Sequence, residues 1–379
     1  MSVMIKIATT DAERNAIFRL RYEIYVEEMQ IFGAVADHTL RMLADIHDPT
    51  ARLMYATVDG EIVATLRLNL GKDAPFTDEF KETYNLDRFR QEMTDEQIMI
   101  LTRFMVKKEH RGSSIAFRMI AEVAQLGLDE GIDVALCDCQ PHLIRYYTRI
   151  GFRNYECPVY NDPEFGIMVP MAFVYGDVDY LKSIRSPVHA IIAAGSTDAE
   201  IGRRVVEILG NAPVQSTDNI AATDQTKALF NVPFFEGLET EEVQAVASWG
   251  YLINCAPGDR VVRQGQTART VFVVLSGSVE VIGGDNLFTE AHTGDVVGEM
   301  SFLLSTRRAT DVYANEDGAC VLALDEQRFR RMLETPSRVS AVLLHNMSKT
   351  LARKLTGMME SSLSPHRTNA DVPMLNKAA

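Results

Sequence analysis

Three groups of residues have the types and spacing to do chemistry. The segment Gly298-Glu299-Met300-Ser301, closed by Arg308-Ala309-Thr310, sets a carboxylate and a guanidinium at the two ends of one loop. A cyclic phosphate needs a fixed cation and backbone donors, which Arg308 and a helix starting after Gly298 would supply, and a ribose hydroxyl needs an acceptor such as Glu299. The same pair would also serve as a plain staple across the loop. The second group is Glu109-His110-Arg111-Gly112-Ser113-Ser114-Ile115, between an apolar strand-like run and a helix start. Successive N–H groups there form a cradle for a pyrophosphate, with an ordinary N-cap as the bland alternative. The third is a set of guanidiniums in apolar or strand-like contexts, Arg21, Arg67 and Arg103, with Asp45 and Asp48 as partners. Buried charges must be paired, so these predict either a scaffold of ion pairs around an acceptor pocket or surface charges at strand ends.

The elements that must position these groups follow from periodicity. Thr10 and Glu13 have capping-box spacing, and Ile17, Leu20, Ile24 and Tyr25 give the helix behind them one apolar face, with Arg21 on or near it. Strand-like runs 53–58 and 62–68 are joined by Asp59-Gly60, a strong hairpin signal. A polar stretch 72–97 precedes the strand 98–106, the Gly112 loop and a helix to about Glu130. Then come a strand 133–139, a short helix 143–149 stopped by Gly151, and a strand 168–174. The expectation is an α/β mixed sheet with flanking helices over residues 1–185.

Residues 186–226 turn to Ala, Ser, Thr, Asp and Asn with one helical stretch, 198–209, and are predicted to be a linker. From 227 to 364, short strands punctuated by Pro257-Gly258-Asp259, Gly265, Ser276-Gly277 and Gly294-Asp295 predict a β-roll with C-terminal helices. The last helix carries Val339, Val342, Leu343, Met347, Leu351 and Leu355 on one stripe, which would serve as a lid or as the seam of a homodimer. Residues 365–379 are polar and predicted disordered.

Composition narrows the function classes. The chain has 379 residues, 46% hydrophobic and 24% charged, as expected of two folded domains. A net charge of -14 argues against a nucleic-acid partner, which requires a concentrated Lys/Arg surface. No signal peptide or membrane span is expected, which leaves the cytoplasm as the expected compartment. Five cysteines, Cys137, Cys139, Cys157, Cys255 and Cys320, lack paired C-x-x-C spacing. Cys137 and Cys139 alternate as buried strand positions do, and no metal is expected.

The motifs also resemble known families. Glu109–Ser114 resembles the acyl-CoA loop of the GNAT superfamily, Gln/Arg-x-x-Gly-x-Gly/Ala, with Gly112 matching and with Glu109 and Ser114 departing from the pattern. Tyr147-Thr148-Arg149-Ile150-Gly151-Phe152 resembles its Y-x-x-x-G-F segment, which implies that Tyr147 protonates the departing thiolate; a core aromatic is the alternative. From Arg21-Tyr22-Glu23 to about Pro187 the chain is similar to acyl-homoserine-lactone and N-acyl amino acid synthases: Asp45 and Asp48 match their Asp-x-x-Asp, Arg67 their strand arginine, and Thr102-Arg103-Phe104 their Ser/Thr-Arg-Phe. The homoserine-lactone branch carries a Glu where this chain has Ile100, so the base is left open among Glu23, Glu28, Asp45, Asp48 and a backbone-held water. Gly298–Thr310 resembles the phosphate-binding cassette of cyclic-nucleotide-binding domains, and Ala309 after the phosphate arginine favours cAMP over cGMP.

The resemblances imply a cyclic-nucleotide-responsive N-acyltransferase that moves an acyl group from acyl-CoA or acyl carrier protein to an amine such as an amino acid. The donor would be held at Arg111, Gly112, Ser113, Ser114 and Ile115, the acceptor near Arg21 and Arg67, and the nucleotide at Gly298, Glu299, Met300, Ser301, Arg308, Ala309 and Thr310. A cAMP-regulated protein lysine acetyltransferase and a non-catalytic nucleotide sensor are the rival expectations.

Overall fold

A computed structural model describes residues 3–210, 214–216, 229, 232–267, 270–283 and 286–363. The first half is built on strands β1 (Val3–Ile7), β2 (Arg52–Val58), β3 (Glu61–Leu70), β4 (Ile98–Val106), β5 (Val134–Cys139), β6 (Arg153–Asn154), β7 (Tyr160–Asp162) and β8 (Gly166–Val174). They form one sheet in the order β1-β2-β3-β4-β5-β8-β6, with β7 on β8. Asp59 and Gly60 both take positive φ, 50° and 88°, which makes the two-residue β2–β3 turn compatible with strand twist. Only β4 and β5 run parallel, because the helix α4 described below crosses over between them.

Helix α1 (Asp11–Arg21) starts at the expected capping box: the Glu13 N–H donates to Thr10 Oγ1 (3.2 Å) and Glu13 Oε2 accepts the Thr10 N–H (3.0 Å). It continues into a π-helical turn, Tyr22–Glu28, a distortion that often marks functional positions. The polar stretch after β3 is folded: α2 (Asp78–Thr83) and α3 (Leu86–Phe89) bury Phe80, Tyr84, Leu86 and Phe89 against Ile98, Ile100, Val134 and Leu136. The opposite face packs α4 (Ile115–Asp129) and α5 (Ile144–Ile150) against Met99, Leu101, Ala135 and Cys137. Successive strand residues thus serve opposite faces.

The stretch expected to be a linker folds onto this half at least as far as Leu209. Helices His189–Ala194 and Ala199–Ile208 bury Ile192 and Val205 completely, with Val205 and Leu209 joining Phe89 and Tyr155. Linker-like composition concealed these few large apolar residues among many small ones. The tail expected to be disordered, 365–379, lies outside the described residues.

The second half is an antiparallel roll of β9 (Val214–Ser216), β10 (Gly250–Cys255), β11 (Arg260–Val262), β12 (Thr270–Gly283), β13 (Asn286–His292), β14 (Val296–Val297) and β15 (Asp311–Asp325), followed by helices Glu326–Glu334 and Arg338–Leu363. Its core gathers Phe234, Val271, Val273, Phe302, Leu322, Phe329, Leu343 and Met347. Part of the stripe on the last helix is therefore spent inside the chain, while Leu355 is exposed. Among the described residues no helix is long and apolar enough to cross a membrane.

The two halves touch. Arg263 pairs with Glu164 at 2.9 Å, Gln266 Nε2 donates to the Glu164 carbonyl (2.8 Å), and Ile167 shares a buried cluster with Val261, Val262 and Phe272. Ile192→Ala should cost about 2–5 kcal/mol of stability in a denaturant titration, the penalty of a core cavity, whereas a residue in a flexible linker would cost almost nothing.

Candidate active site

The parallel β4–β5 ladder runs from Ile98↔Val134 to Leu101↔Cys137, after which the strands part. The cause lies in β4: its register with β3 slips between Thr65 and Arg67, and Arg103 sits at φ 56°, a left-handed conformation that is unusual for a side chain of this size. A cavity of about 200 Å³ opens where the strands diverge and reaches both faces of the sheet. On the α4–α5 face it is lined by Ile120, Cys137, Cys139, Tyr147 and Phe152, and on the other by His47, Glu79, Phe80, Tyr84, Asp138 and Tyr160.

An ion network braces the second face. Arg103 donates through Nε (3.1 Å) and Nη2 (2.8 Å) to Asp45 Oδ2, and its guanidinium lies over the Phe32 ring at 4.5 Å. Arg67 bonds Asp45 Oδ1 through Nη1 and Thr102 Oγ1 through Nε (2.8 Å). Arg21 Nη1 donates to both oxygens of Asp48 at 2.8 Å, and that pair is almost fully buried. Burial opposes the charge on Asp45, but the Arg67 and Arg103 guanidiniums outweigh it and hold the carboxyl well below the usual range. A carboxylate so committed is a poor base.

The structure therefore brings Arg103 and Arg67 to the cavity wall and places Asp45, Asp48 and Arg21 behind it as support. Glu23 stays outside: it is 48% exposed and pairs with Lys107 at 3.2 Å. Tyr147 projects from α5 into the cavity with its ring edge-on to Phe152 (5.6 Å), and burial raises its hydroxyl pKa well above the ordinary value, which keeps it a proton donor. In the loop before α4, Gly112 has φ 79° and a side chain there would meet open space; Arg111, Gly112, Ser113 and Ser114 are exposed, while Ile115 is buried beneath them. The Ile115 N–H that opens α4 donates to Ser113 Oγ at 3.3 Å. Arg111 is turned aside into a bidentate pair with Glu28 (2.5 and 2.7 Å).

In the second half, Gly298 has φ 84° and opens the helix Glu299–Leu304. Arg308 donates to the Gly298 carbonyl and to Ser301 Oγ, each at 2.8 Å, and to the Thr270 carbonyl. Burial lowers its pKa to about 10, partly offset by Glu326 and Glu299, so the cation is one that an anion would stabilise. Glu299 is 3% exposed and accepts the Lys354 ammonium of the last helix at 2.8 Å. Met300 and Ala309 face outward, and Thr310 is half-buried before β15.

Two groups escaped the sequence reading. Arg307, next to the cassette arginine, donates to the carbonyls of Glu28 (3.0 Å) and Met29 (3.2 Å) at the end of the π-helical turn. Asp138 in β5 accepts the hydroxyls of Tyr84 and, at 3.0 Å, Tyr160. Strand alternation places residue 138 opposite its cysteine neighbours, a weak signal that could have singled it out.

Asp48→Ala should destabilise the protein by about 3–5 kcal/mol in denaturant titrations, because it leaves Arg21 buried without its carboxylate. The folded pKa of Asp45 is depressed, so its contribution to stability is complete above the unfolded value of about 4 and is lost as the pH falls below it. Asp45→Asn should accordingly flatten the decline of melting temperature between about pH 5 and pH 2.

Comparison with known proteins finds relatives of each half. The family model "N-acyl amino acid synthase FeeM" matches residues 16–172, and the cyclic nucleotide-binding domain model matches residues 252–336. The chain is 36% identical over 104 residues to a cAMP-dependent protein kinase type II regulatory subunit of Drosophila melanogaster, covering 27% of each chain. It is 30% identical over 97 residues to a cGMP-dependent protein kinase of Eimeria tenella, covering 26% of this chain and 10% of that one. These matches span well under half of either relative's length. A solved structure of a candidate N-acetyltransferase from Lactobacillus plantarum is 18% identical with a TM-score of 0.34, covering 46% of this chain and 99% of that one. The chain thus joins an N-terminal region similar to N-acyl amino acid synthases to a C-terminal region similar to cyclic nucleotide-binding domains.

Proposed function

We propose that this protein transfers an acyl group from a thioester carried on phosphopantetheine, in coenzyme A or acyl carrier protein, to the amine of an amino acid, at a rate set by cAMP. The observation that carries the reading is the parted β4–β5 pair, where a cavity bordered on one face by Ile120 of α4 and Tyr147 of α5 reaches a polar chamber on the far face of the sheet. A thioester arm laid along α4 would present its carbonyl in the gap. An amine approaching from the Arg103 side would attack it there, with Tyr147 placed to protonate the sulfur that leaves.

The regulatory part rests on a shared wall. In front of Arg308 is a cavity of only about 30 Å³, room for a water and far too little for a nucleotide. Its boundary includes Gln140, Pro141, His142 and Phe165 of the acyltransferase half, and Gln140 and Phe165 also line the large cavity. Gln140 Nε2 holds the Phe165 carbonyl at 2.9 Å, and the Phe165 ring packs on Tyr25 (5.7 Å) and Phe32 (5.6 Å), which flank Arg103. A nucleotide seated on Arg308 must displace this wall, and the acceptor chamber changes with it. Such a ligand has the differential contact with two states that allosteric coupling requires.

Purified protein given acyl-CoA or acyl carrier protein thioesters and a panel of amino acids should release free thiol, and cAMP should change the rate. Tyr147→Phe should slow release by about 10²-fold or more. Phe165→Ala should bring the rates with and without cAMP closer together. A complete panel without thiol release sinks the transferase reading. Release that is indifferent to cAMP, in protein that binds it, sinks the coupling.

A further inference from the structure

We infer that Asp138 is the general base of the transfer, taking the ammonium proton from the acceptor nitrogen before the new C–N bond forms; this rests on the acyltransferase reading above. Asp138 is the first residue of β5 beyond the last β4–β5 rung, Leu101↔Cys137, and therefore stands at the lip of the gap. Its neighbours Cys137 and Cys139 belong to the buried cluster on the α4–α5 face, where Tyr147 lies, whereas the Asp138 carboxylate meets Tyr84 and Tyr160 on the opposite face. Acid and base thus approach one reaction centre from the two sides of the sheet. That is the arrangement a transfer needs when amine and thiol occupy opposite sides of a carbonyl.

The other carboxylates lining the cavity are committed elsewhere. Glu79 pairs with His47 at 3.1 Å, and Asp162 accepts the N–H groups of Glu164 (2.6 Å) and Phe165 (2.7 Å). Behind the wall, Asp45 and Asp48 are held by guanidiniums. The hydrogen bonds that Asp138 accepts come from neutral hydroxyls, one on each oxygen, which fix its orientation without neutralising it. Each oxygen keeps a lone pair for a proton. Burial raises its pKa, opposed by the bonds from Tyr84 and Tyr160; across the chamber Asp162 adds to the rise and Arg103 reduces it, and Arg67, Glu79 and His47 are the other ionisable side chains besides the tyrosines and cysteines that line the cavity. A carboxylate with a raised pKa is the stronger base.

The chemistry balances. The acceptor ammonium gives one proton to Asp138, and the free amine attacks the thioester carbonyl carbon. As the C–N bond forms, one of the two protons left on nitrogen is lost to solvent and the other stays in the amide. The C–S bond breaks and the sulfur takes the Tyr147 hydroxyl proton. The proton on Asp138 leaves through the water of the cavity and one returns to Tyr147, so that one amine and one thioester give one amide and one thiol.

The test compares two nucleophiles in wild-type and Asp138→Asn protein: an amino acid that the wild type accepts, and hydroxylamine, which is already unprotonated at neutral pH. The substitution should lower kcat/KM for the amino acid by about 10²–10⁴-fold while leaving thiol release by hydroxylamine within about tenfold of wild type. Undiminished transfer to the amino acid, or an equal loss with both nucleophiles, overturns the assignment. Tyr160→Phe provides a second reading. Losing a bond to the charged carboxylate raises its pKa, so the acidic limb of the pH–rate profile should move to higher pH, and an unmoved limb also overturns the inference. A wild type inactive with both nucleophiles instead removes the transferase reading beneath it.

Discussion

The bond between Arg103 and Asp45 is the constraint around which the first half is organised. A large side chain held at positive φ costs on the order of 1–3 kcal/mol, and the two hydrogen bonds to Asp45 together with the Phe32 ring are what hold it there. That conformation throws β4 out of register with β3 and ends its ladder with β5. The gap, the cavity and the exposure of Asp138 and Tyr147 to a common space all follow. Asp45 is in turn fixed by Arg67 and by the Asp48 side chain, which accepts the Asp45 N–H at 2.7 Å. The buried ions are therefore better understood as the frame of a reaction chamber than as its reagents.

The second half is joined to this frame at its most sensitive edge. Arg307 grips the end of the π-helical turn, Gln266 and Arg263 hold Glu164, and Phe165 between them leans on the two rings that flank Arg103. Glu28, whose carbonyl Arg307 engages, also draws Arg111 away from the loop before α4. The contacts between the halves thus run both to the rings around Arg103 and to the carboxylate that holds Arg111. Two neighbouring arginines divide the labour, one facing the cassette and the other the partner domain.

Local features were legible in the sequence wherever one residue type forces one geometry. The Thr10–Glu13 cap, the Asp59-Gly60 turn and the Gly298–Arg308 loop were of this kind, and they sufficed for the fold class. The pairing of Arg21, Arg67 and Arg103 with Asp45 and Asp48 followed from the need to neutralise buried charge. The gap was not legible, because it comes from a backbone conformation at Arg103 and a missing rung, neither of which has a residue signature. Asp138 was hidden because the tyrosines that hold it come from α2 and β7, far along the chain on either side. The packed helices after 186 were masked by Ala- and Ser-rich composition, which says little about where a single Ile192 goes.

The ammonium that Lys354 lays on Glu299 gives the messenger pocket a resident competitor. Under the function proposed above, a ribose hydroxyl seeking that carboxylate would first have to evict it, and the apparent affinity would be the intrinsic one scaled by the fraction of molecules whose terminal helix has let go. On that reading, the concentration at which the protein responds would be encoded in the grip of a helix rather than in the cassette alone. Sequence drift in that helix could retune the threshold while leaving the phosphate site unchanged.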